Sequence, residues 1–453
     1  MSDSTARPAI APIDIGRLLD GSRWGGYQAW LLFLTALTIV FDGIDNQLMG
    51  VTIPTIMREW SVARGAFAPV VSLGYLGMVT GGALAGLLGD RIGRRVTLIA
   101  SMIVFGGMTL AVAGAGSVAA LAVLRFLAGL GLGGAVPNAA ALAAEYVPKA
   151  QRPMAVTITI VCVPLGATLA GLAAIPALPD FGWRAMFFAG GLIPLVAAAA
   201  LVRLLPESPR FLARDPRRRG QLAASLRRMG HPVADEATFV DRTDPAARGA
   251  SVSALFTSEF RADTIGLWAA FFSCLLSVYL AFSWVPSMLA AAGLSSAVAS
   301  AGMMAFNLGG VAGALTGGVS ITRWGSRPVM LTMAGLAVAS ASVMAFMPIS
   351  AGSPAAPIIG MLTVTGALIN GVQTTMFALA AHVYPARIRA TGVGGAVSFG
   401  RTGAVVSGYV GAWALDYRGA MSFFGVIAVA LVVCCLALAS IARHVPGRNS
   451  GSG

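Results

Sequence analysis

The sequence predicts an all-α polytopic membrane protein, with twelve transmembrane helices in two pseudo-symmetric six-helix halves. Three observations predict it. Of 453 residues, 57% are hydrophobic and 11% charged, where a soluble domain carries about a quarter charged residues; the mean hydropathy is +0.80. Apolar runs of about 20 residues, the length that crosses a bilayer as a helix, recur along the chain. Landmarks also return at a near-constant offset. Glu145-x-x-Pro148-x-x-x-Arg152 reappears as His382-x-x-Pro385-x-x-x-Arg389, Arg91-x-Gly93-x-Arg95 as Arg323-x-Gly325-x-Arg327, and Pro54 as Pro286. Two like-oriented halves with a site between them are the layout of alternating-access carriers.

Taken in order, residues 1–27 hold Asp3, Arg7, Asp14, Arg17, Asp20 and Arg23 without an apolar core, so a cytoplasmic segment is expected here and no cleaved signal peptide. The N-terminal half, 28–205, has apolar runs near 28–50, 66–89, 97–115, 118–143, 154–177 and 184–205. Residues 206–262 are polar, with Arg214, Arg217, Arg218, Arg219, Arg227 and Arg228, and read as a solvated cytoplasmic linker with short helices. The C-terminal half, 263–442, repeats the runs near 263–291, 296–319, 328–348, 356–382, 391–415 and 421–442, before a cytoplasmic tail, 443–453. These runs are numbered below as spans 1 to 12.

The net charge is +13, but its placement argues against nucleic acid as a partner. Basic residues fall in alternate loops, at Arg91, Arg94 and Arg95, Lys149 and Arg152, Arg323 and Arg327, and Arg387 and Arg389. That is the positive-inside pattern, and it puts both termini in the cytoplasm. Cys162, Cys274, Cys434 and Cys435 lie in apolar runs without metal-ligand spacing or a disulfide framework, so no metal and no cofactor is expected. His231, His382 and His444 are scattered, and Lys149 follows no glycine-rich loop. Neither a catalytic constellation nor a nucleotide-binding loop is present, so an enzyme or an ATP-driven pump is not expected.

Charges inside the spans carry the functional signal. Asp42 and Asp45, three residues apart, share a face of span 1. An ionised carboxylate there costs several kcal/mol unless paired, hydrated or protonated. At 1.5 Å per residue, Asp42 and Arg125 of span 4 each lie roughly 10 Å from the outer membrane edge, so the two are expected to meet. Arg401 lies near the middle of span 11, where a planar guanidinium suits bidentate binding of a carboxylate or a structural pair with an acid of the first half. None of these four charges has a counterpart in the other half: Asp42, Asp45 and Arg125 align with Cys274, Ser277 and Leu362, and Arg401 aligns with Pro164. Tyr279, Trp284, Phe306, Asn307, Gln373 and Phe377 offer aromatic and amide surface for a flat, hydroxylated ring, although aromatic residues in spans also serve packing.

Gly86-Leu-Leu-Gly89-Asp90-Arg91-Ile-Gly93-Arg94-Arg95 resembles the signature loop of the major facilitator superfamily. Arg125-x-x-x-Gly129-x-Gly131-x-Gly133-Gly134 is similar to its span 4 motif, and Pro206-Glu207-Ser208-Pro209-Arg210 also fits. Within the superfamily, Asp42-Gly43-x-Asp45-x-Gln47, Tyr384-Pro385-x-x-x-Arg389-Ala390-Thr391-Gly392 and Gly400-Arg401-x-Gly403 resemble the aromatic acid:proton symporters. The resemblance implies import of a hydroxybenzoate-like acid with protons across a bacterial inner membrane by a carrier working as a monomer, with Asp42, Asp45 and Arg125 in proton coupling. It also implies a cytoplasmic gate of Asp90, Arg91, Arg94, Arg95, Glu145, Arg152, Arg323 and Arg389, in which Asp90 and its arginines latch onto the opposite half. A carrier of a sugar or organic cation, or a drug exporter, is the alternative on the same fold.

Overall fold

Lipid tails are as apolar as leucine, so helices in a bilayer are joined by close packing of small residues and by internal hydrogen bonds. This chain, a computed structural model described over residues 13–22, 24–233, 238–240 and 252–447, follows that rule. The expectations for residues 1–12 and 448–453, and for part of the linker, lie outside the described residues.

Span 1 is the helix Gly26–Trp60, span 2 Ala68–Ile92, span 3 Arg94–Val112 and span 4 Val118–Tyr146. Spans 5 and 6 form one continuous element, Arg152–Leu204, broken at Gly182, whose φ of 75° only glycine adopts at little cost. Spans 7 to 12 are Arg261–Ala291, Ser296–Trp324, Ser326–Phe346, Ala355–Val383, Ala386–Arg418 and Ala420–Ser440. Ten helices among the described residues are long and apolar enough to cross a membrane. The broken helix of 53 residues is long enough to cross twice. Span 11 has the length, 33 residues, but its many glycines and serines, with Arg401, make it less apolar. Twelve passes result.

Glycine sets the helix pairs. A Cβ on Gly77 would lie 2.2 Å from the Phe126 carbonyl oxygen, on Gly81 2.1 Å from that of Leu130, and on Gly133 2.1 Å from that of Met78, so spans 2 and 4 touch backbone to backbone. The second half repeats the device between spans 8 and 10: Gly309 meets Thr363 at 2.1 Å, Gly313 meets Ala367 at 1.8 Å and Gly366 meets Phe306 at 2.1 Å. Spans 1 and 5 are joined likewise through Gly43 and Gly166. Between the halves, span 1 faces span 7, span 2 faces span 11 and span 5 faces span 8.

The loops with the arginine motifs share one face, called here the basic face. Asp90 pairs with Arg94 at 2.7 Å, Arg94 Nε with Glu145 at 3.2 Å, and the Ser208 hydroxyl also bonds Glu145. The Arg95 backbone N–H donates to Glu207 at 3.0 Å, and Arg152 pairs with Asp20 of the short helix Ile15–Asp20. In this conformation the expected latch to the opposite half is not made among the described residues. Asp90, Arg94, Glu145 and Arg152 fasten the first half to its own flanking segments and not to the second half. The physical reason is that the halves converge toward the other face. Hydrogen bonds between them run from Gln47 Nε2 to the Phe282 oxygen (3.5 Å), from the Ser72 hydroxyl to the Val405 oxygen (2.7 Å), and between Tyr75 and Ser283 hydroxyls (2.8 Å). The Arg64–Asp416 ion pair, 2.7 Å, lies further out still. Of the remaining gate residues, Arg91 is exposed, Arg323 lies over the Trp324 ring, and Arg389 Nε donates to the Tyr384 oxygen at 3.2 Å.

The linker is less solvated than its composition suggests. Its helix Arg219–Arg228 buries Leu222, Ala223 and Leu226, and Gln28 of span 1 donates to the Met229 oxygen at 3.3 Å. A short parallel pairing of Ile13–Asp14 with Phe239–Val240 ties the first described residues to it.

Gly313→Ala will lower the thermal stability of the detergent-solubilised protein by about 1–3 kcal/mol, the usual cost of overpacking. Gly425→Ala, where an added Cβ meets nothing within 4 Å, will not. Paired melting curves of the two variants check this.

Candidate functional site

The carboxylates of span 1 project into the bundle at mid-depth, where each must find a partner or stay uncharged. Asp45 finds two. Its Oδ2 accepts from Arg125 Nη1 at 2.9 Å, and its Oδ1 accepts from the Thr109 hydroxyl of span 3. The Asp45 side chain is fully buried and that of Arg125 is 7% exposed. Gly74 of span 2 leaves room for the arginine, since even a Cβ there would stand 3.8 Å from Arg125 Cβ. The expected Asp42–Arg125 pair is thus replaced by Asp45–Arg125. The two carboxylates stand about 4.5 Å apart along the helix axis. The guanidinium reaches the further one, where Thr109 supplies a second donor.

Asp42 faces the other half. It is 1% exposed and its Oδ1 has no hydrogen-bond partner among the described residues. The charges that act on it are Asp45 and, from span 11, Arg401. Arg401 is half-buried and forms no ion pair among the described residues. Its Nη1 occupies the space beside Gly82 of span 2, 2.8 Å from where a Cβ would be. Tyr279 lies within the field of both Asp42 and Arg401, and its ring meets that of Tyr75 at 4.5 Å between centroids. Four elements thus converge here: span 1 brings Asp42, span 2 Tyr75 and Gly82, span 7 Tyr279, and span 11 Arg401.

The remaining residues expected to bind substrate divide. Gln373 and Phe377 of span 10 are half-buried, with the Phe377 ring 5.4 Å from Phe271. Asn307 Nδ2 donates to Gln47 Oε1 at 3.3 Å, and Phe306 packs 6.1 Å from Phe282, both toward the closed end. Trp284 is corrected to a packing role. It is wholly buried, its Nε1 donates to the Ser407 oxygen at 3.2 Å, and a Cβ on Gly411 would touch its ring at 2.2 Å. It wedges span 7 against span 11.

Sequence reasoning missed Thr109, Tyr75 and Gly82. Thr109 and Tyr75 carry no charge and stand in no quoted motif, while Gly82 is one small residue among many in span 2. Gln47 stood in the motif around Asp42, but its bonds to the second half appear only in three dimensions.

The Major Facilitator Superfamily model matches residues 35–362 and 267–453. The chain is 34% identical over 407 residues to the gallate transporter of Pseudomonas putida, covering 89% of each chain. It is 32% identical over 445 residues to the 4-hydroxybenzoate transporter PcaK of Pseudomonas aeruginosa, covering 97% of each. The inward-open xylose transporter XylE from E. coli superposes with a TM-score of 0.72 at 16% identity, covering 93% of this chain and 98% of that one, which supports the fold alone.

Asp45→Asn leaves the buried Arg125 charge without its counter-ion and will destabilise the protein by about 3–5 kcal/mol. Adding Arg125→Gln will restore much of the loss. A double-mutant cycle of melting temperatures reads the coupling directly.

Proposed function

This chain belongs to the major facilitator superfamily, and from that premise we propose that it imports an aromatic carboxylate of the hydroxybenzoate class by proton symport through alternating access. It is a membrane transporter and not an enzyme. The observation that carries the proposal is the contrast between its two intramembrane arginines. Arg125 is neutralised by Asp45 at 2.9 Å, whereas Arg401 presents a half-buried guanidinium that pairs with no carboxylate among the described residues. A carboxylate ligand completes it. Tyr279, Tyr75, Gln373 and Phe377 supply ring and hydroxyl contacts, in keeping with relatives named for gallate and 4-hydroxybenzoate.

Coupling follows from the position of Asp42. An ionised Asp42 competes with the substrate carboxylate for the field of Arg401. A protonated Asp42 does not, so proton and anion bind together and the net charge carried into the bilayer stays low. Protonation of Asp45 would in turn release Arg125. Asp42, Asp45 and Arg125 are the proton-coupling groups on this reading, and Arg401 anchors the anion.

The protein lies in the bacterial inner membrane, acts as a monomer, and has its basic face and both termini in the cytoplasm. The described conformation is then inward-facing, with the halves joined at the periplasmic side through Ser72–Val405, Tyr75–Ser283 and Arg64–Asp416. Outward opening requires those bonds to break. The Asp90, Arg94, Glu145 and Arg152 cluster stiffens the cytoplasmic end of one half as it moves, and the other gate residues, Arg91, Arg95, Arg323 and Arg389, line the same face.

Uptake into proteoliposomes under an inward proton gradient, with benzoate, 4-hydroxybenzoate, a phenylpropionate, a hexose and an organic cation, tests the proposal. Gradient-driven accumulation of a ring acid is expected, abolished by Asp45→Asn and by a protonophore. Arg401→Lys will raise KM at least tenfold, the loss of about one charge-assisted hydrogen bond. Accumulation of the hexose or the cation alone would refute the cargo. Ring-acid uptake indifferent to the proton gradient would refute symport.

A further inference from the structure

At the face opposite the arginine loops, the ends of spans 1, 7 and 8 enclose a cavity of about 370 Å³. Its polar lining consists of two guanidiniums and several hydroxyls. Arg58 and Arg64 stand on one side, Ser287 and Ser295 on the other, and no carboxylate lines it. Arg58 uses only Nε, toward the Pro54 oxygen at 3.4 Å, which leaves its two terminal nitrogens without a partner among the described residues. Arg64 spends Nη1 on Asp416 while its buried Nε has no partner. Ser287 is 4% exposed and its hydroxyl also makes no hydrogen bond. Span 8 begins at the cavity, where Ser295 caps the Val298 N–H at 3.3 Å and the helix dipole adds positive potential. The rest of the wall, including Val51, Pro54 and Leu294, is apolar.

An exposed and a half-buried guanidinium, the buried Ser287 hydroxyl and a helix start, beside an apolar wall, match an acceptor-only anion with a hydrophobic body. We infer that this cavity is a second binding site for small aromatic carboxylates, a vestibule outside the central site. The inference takes its class of anion and its sidedness from the function proposed above. The vestibule also bears on opening. Arg64 is shared between the cavity and Asp416 at the end of span 11, so a carboxylate drawing on Arg64 weakens the tie that holds the two halves together at this face.

Thr55, half-buried in the same wall, offers a reporter. In a Thr55→Cys protein in membranes, the rate of labelling by a membrane-impermeant thiol reagent is measured with and without 4-hydroxybenzoate, and with uncharged benzyl alcohol as control. The wild type gives the background from its four native cysteines. At least threefold slowing by the acid is expected. It should persist with Arg401→Lys, which weakens the central anion site, and be lost with Arg58→Gln, a substitution of an exposed side chain. Three results would each overturn the inference: no slowing in a carrier that accumulates hydroxybenzoate, equal slowing by benzyl alcohol, or slowing that disappears with Arg401→Lys. A carrier that accumulates no ring acid refutes the proposed function instead, while the labelling still decides whether this cavity takes the anion.

Discussion

A carboxylate held inside a bilayer must be neutralised, and the buried Asp45–Arg125 pair meets that requirement. The pair joins span 1 to span 4, with Thr109 of span 3 as a third member. Three helices of one half are thereby locked around one charge pair. Its geometry is what gives Asp42 a separate role. With Arg125 committed to Asp45, Asp42 is left in the field of Arg401 from the other half. One acid is paired within a half and the other lies in a field between the halves. The two differ in what disturbs them, because an ion pair within a half is broken by protonation of its acid and a field between halves changes as the halves rock.

Close helix packing makes this placement possible. Backbone contact between spans 2 and 4 depends on Gly77, Gly81 and Gly133. The same approach brings Gly74 beside Arg125 and leaves beside Gly82 the space that Arg401 occupies. The second half uses Gly309, Gly313 and Gly366 in the same way. The repeat therefore supplies a symmetric scaffold of small residues, and the functional charges are departures from it. Asp42, Asp45 and Arg125 sit in one half and Arg401 in the other, with Cys274, Ser277, Leu362 and Pro164 at the equivalent places.

Much of this was legible in the sequence. Hydropathy and the repeated Pro, Gly and Arg landmarks foreshadowed the twelve passes, and the unmatched charges marked the mid-membrane residues. The pairing was less legible. A depth estimate from 1.5 Å per residue cannot separate Asp42 from Asp45 when arginine itself reaches further than one helical turn. The latch is less legible for a different reason. Asp90, Arg94 and Glu145 form a motif whose partners depend on which face of the molecule is closed, and a linear sequence encodes all conformations at once. Trp284 shows a third limit: a bulky aromatic in a span looks the same whether it faces a cavity or, as here, fills the space above Gly411.

The two anion sites proposed above have a common construction. At the centre, Arg401 lies in the field of Asp42; at the outer mouth, Arg64 is bonded to Asp416 at 2.7 Å. In each, a guanidinium is attended by a carboxylate of the chain itself, and the ion or field spans the two halves. A bare buried arginine would bind its ligand too firmly to release it and would be costly to leave unpaired between cycles. An internal carboxylate lowers both costs, since it stabilises the empty state and yields to the ligand by exchange. Exchange also ties binding to movement, because the contact given up is one that joins the halves. The difference between the two places lies in depth. Asp42 is buried, so protonation is the simplest way for it to withdraw. The Asp416 side chain is 56% exposed, so water can solvate its charge as soon as Arg64 turns to the ligand. On the proposed function, proton dependence then belongs to the central step and not to the outer one.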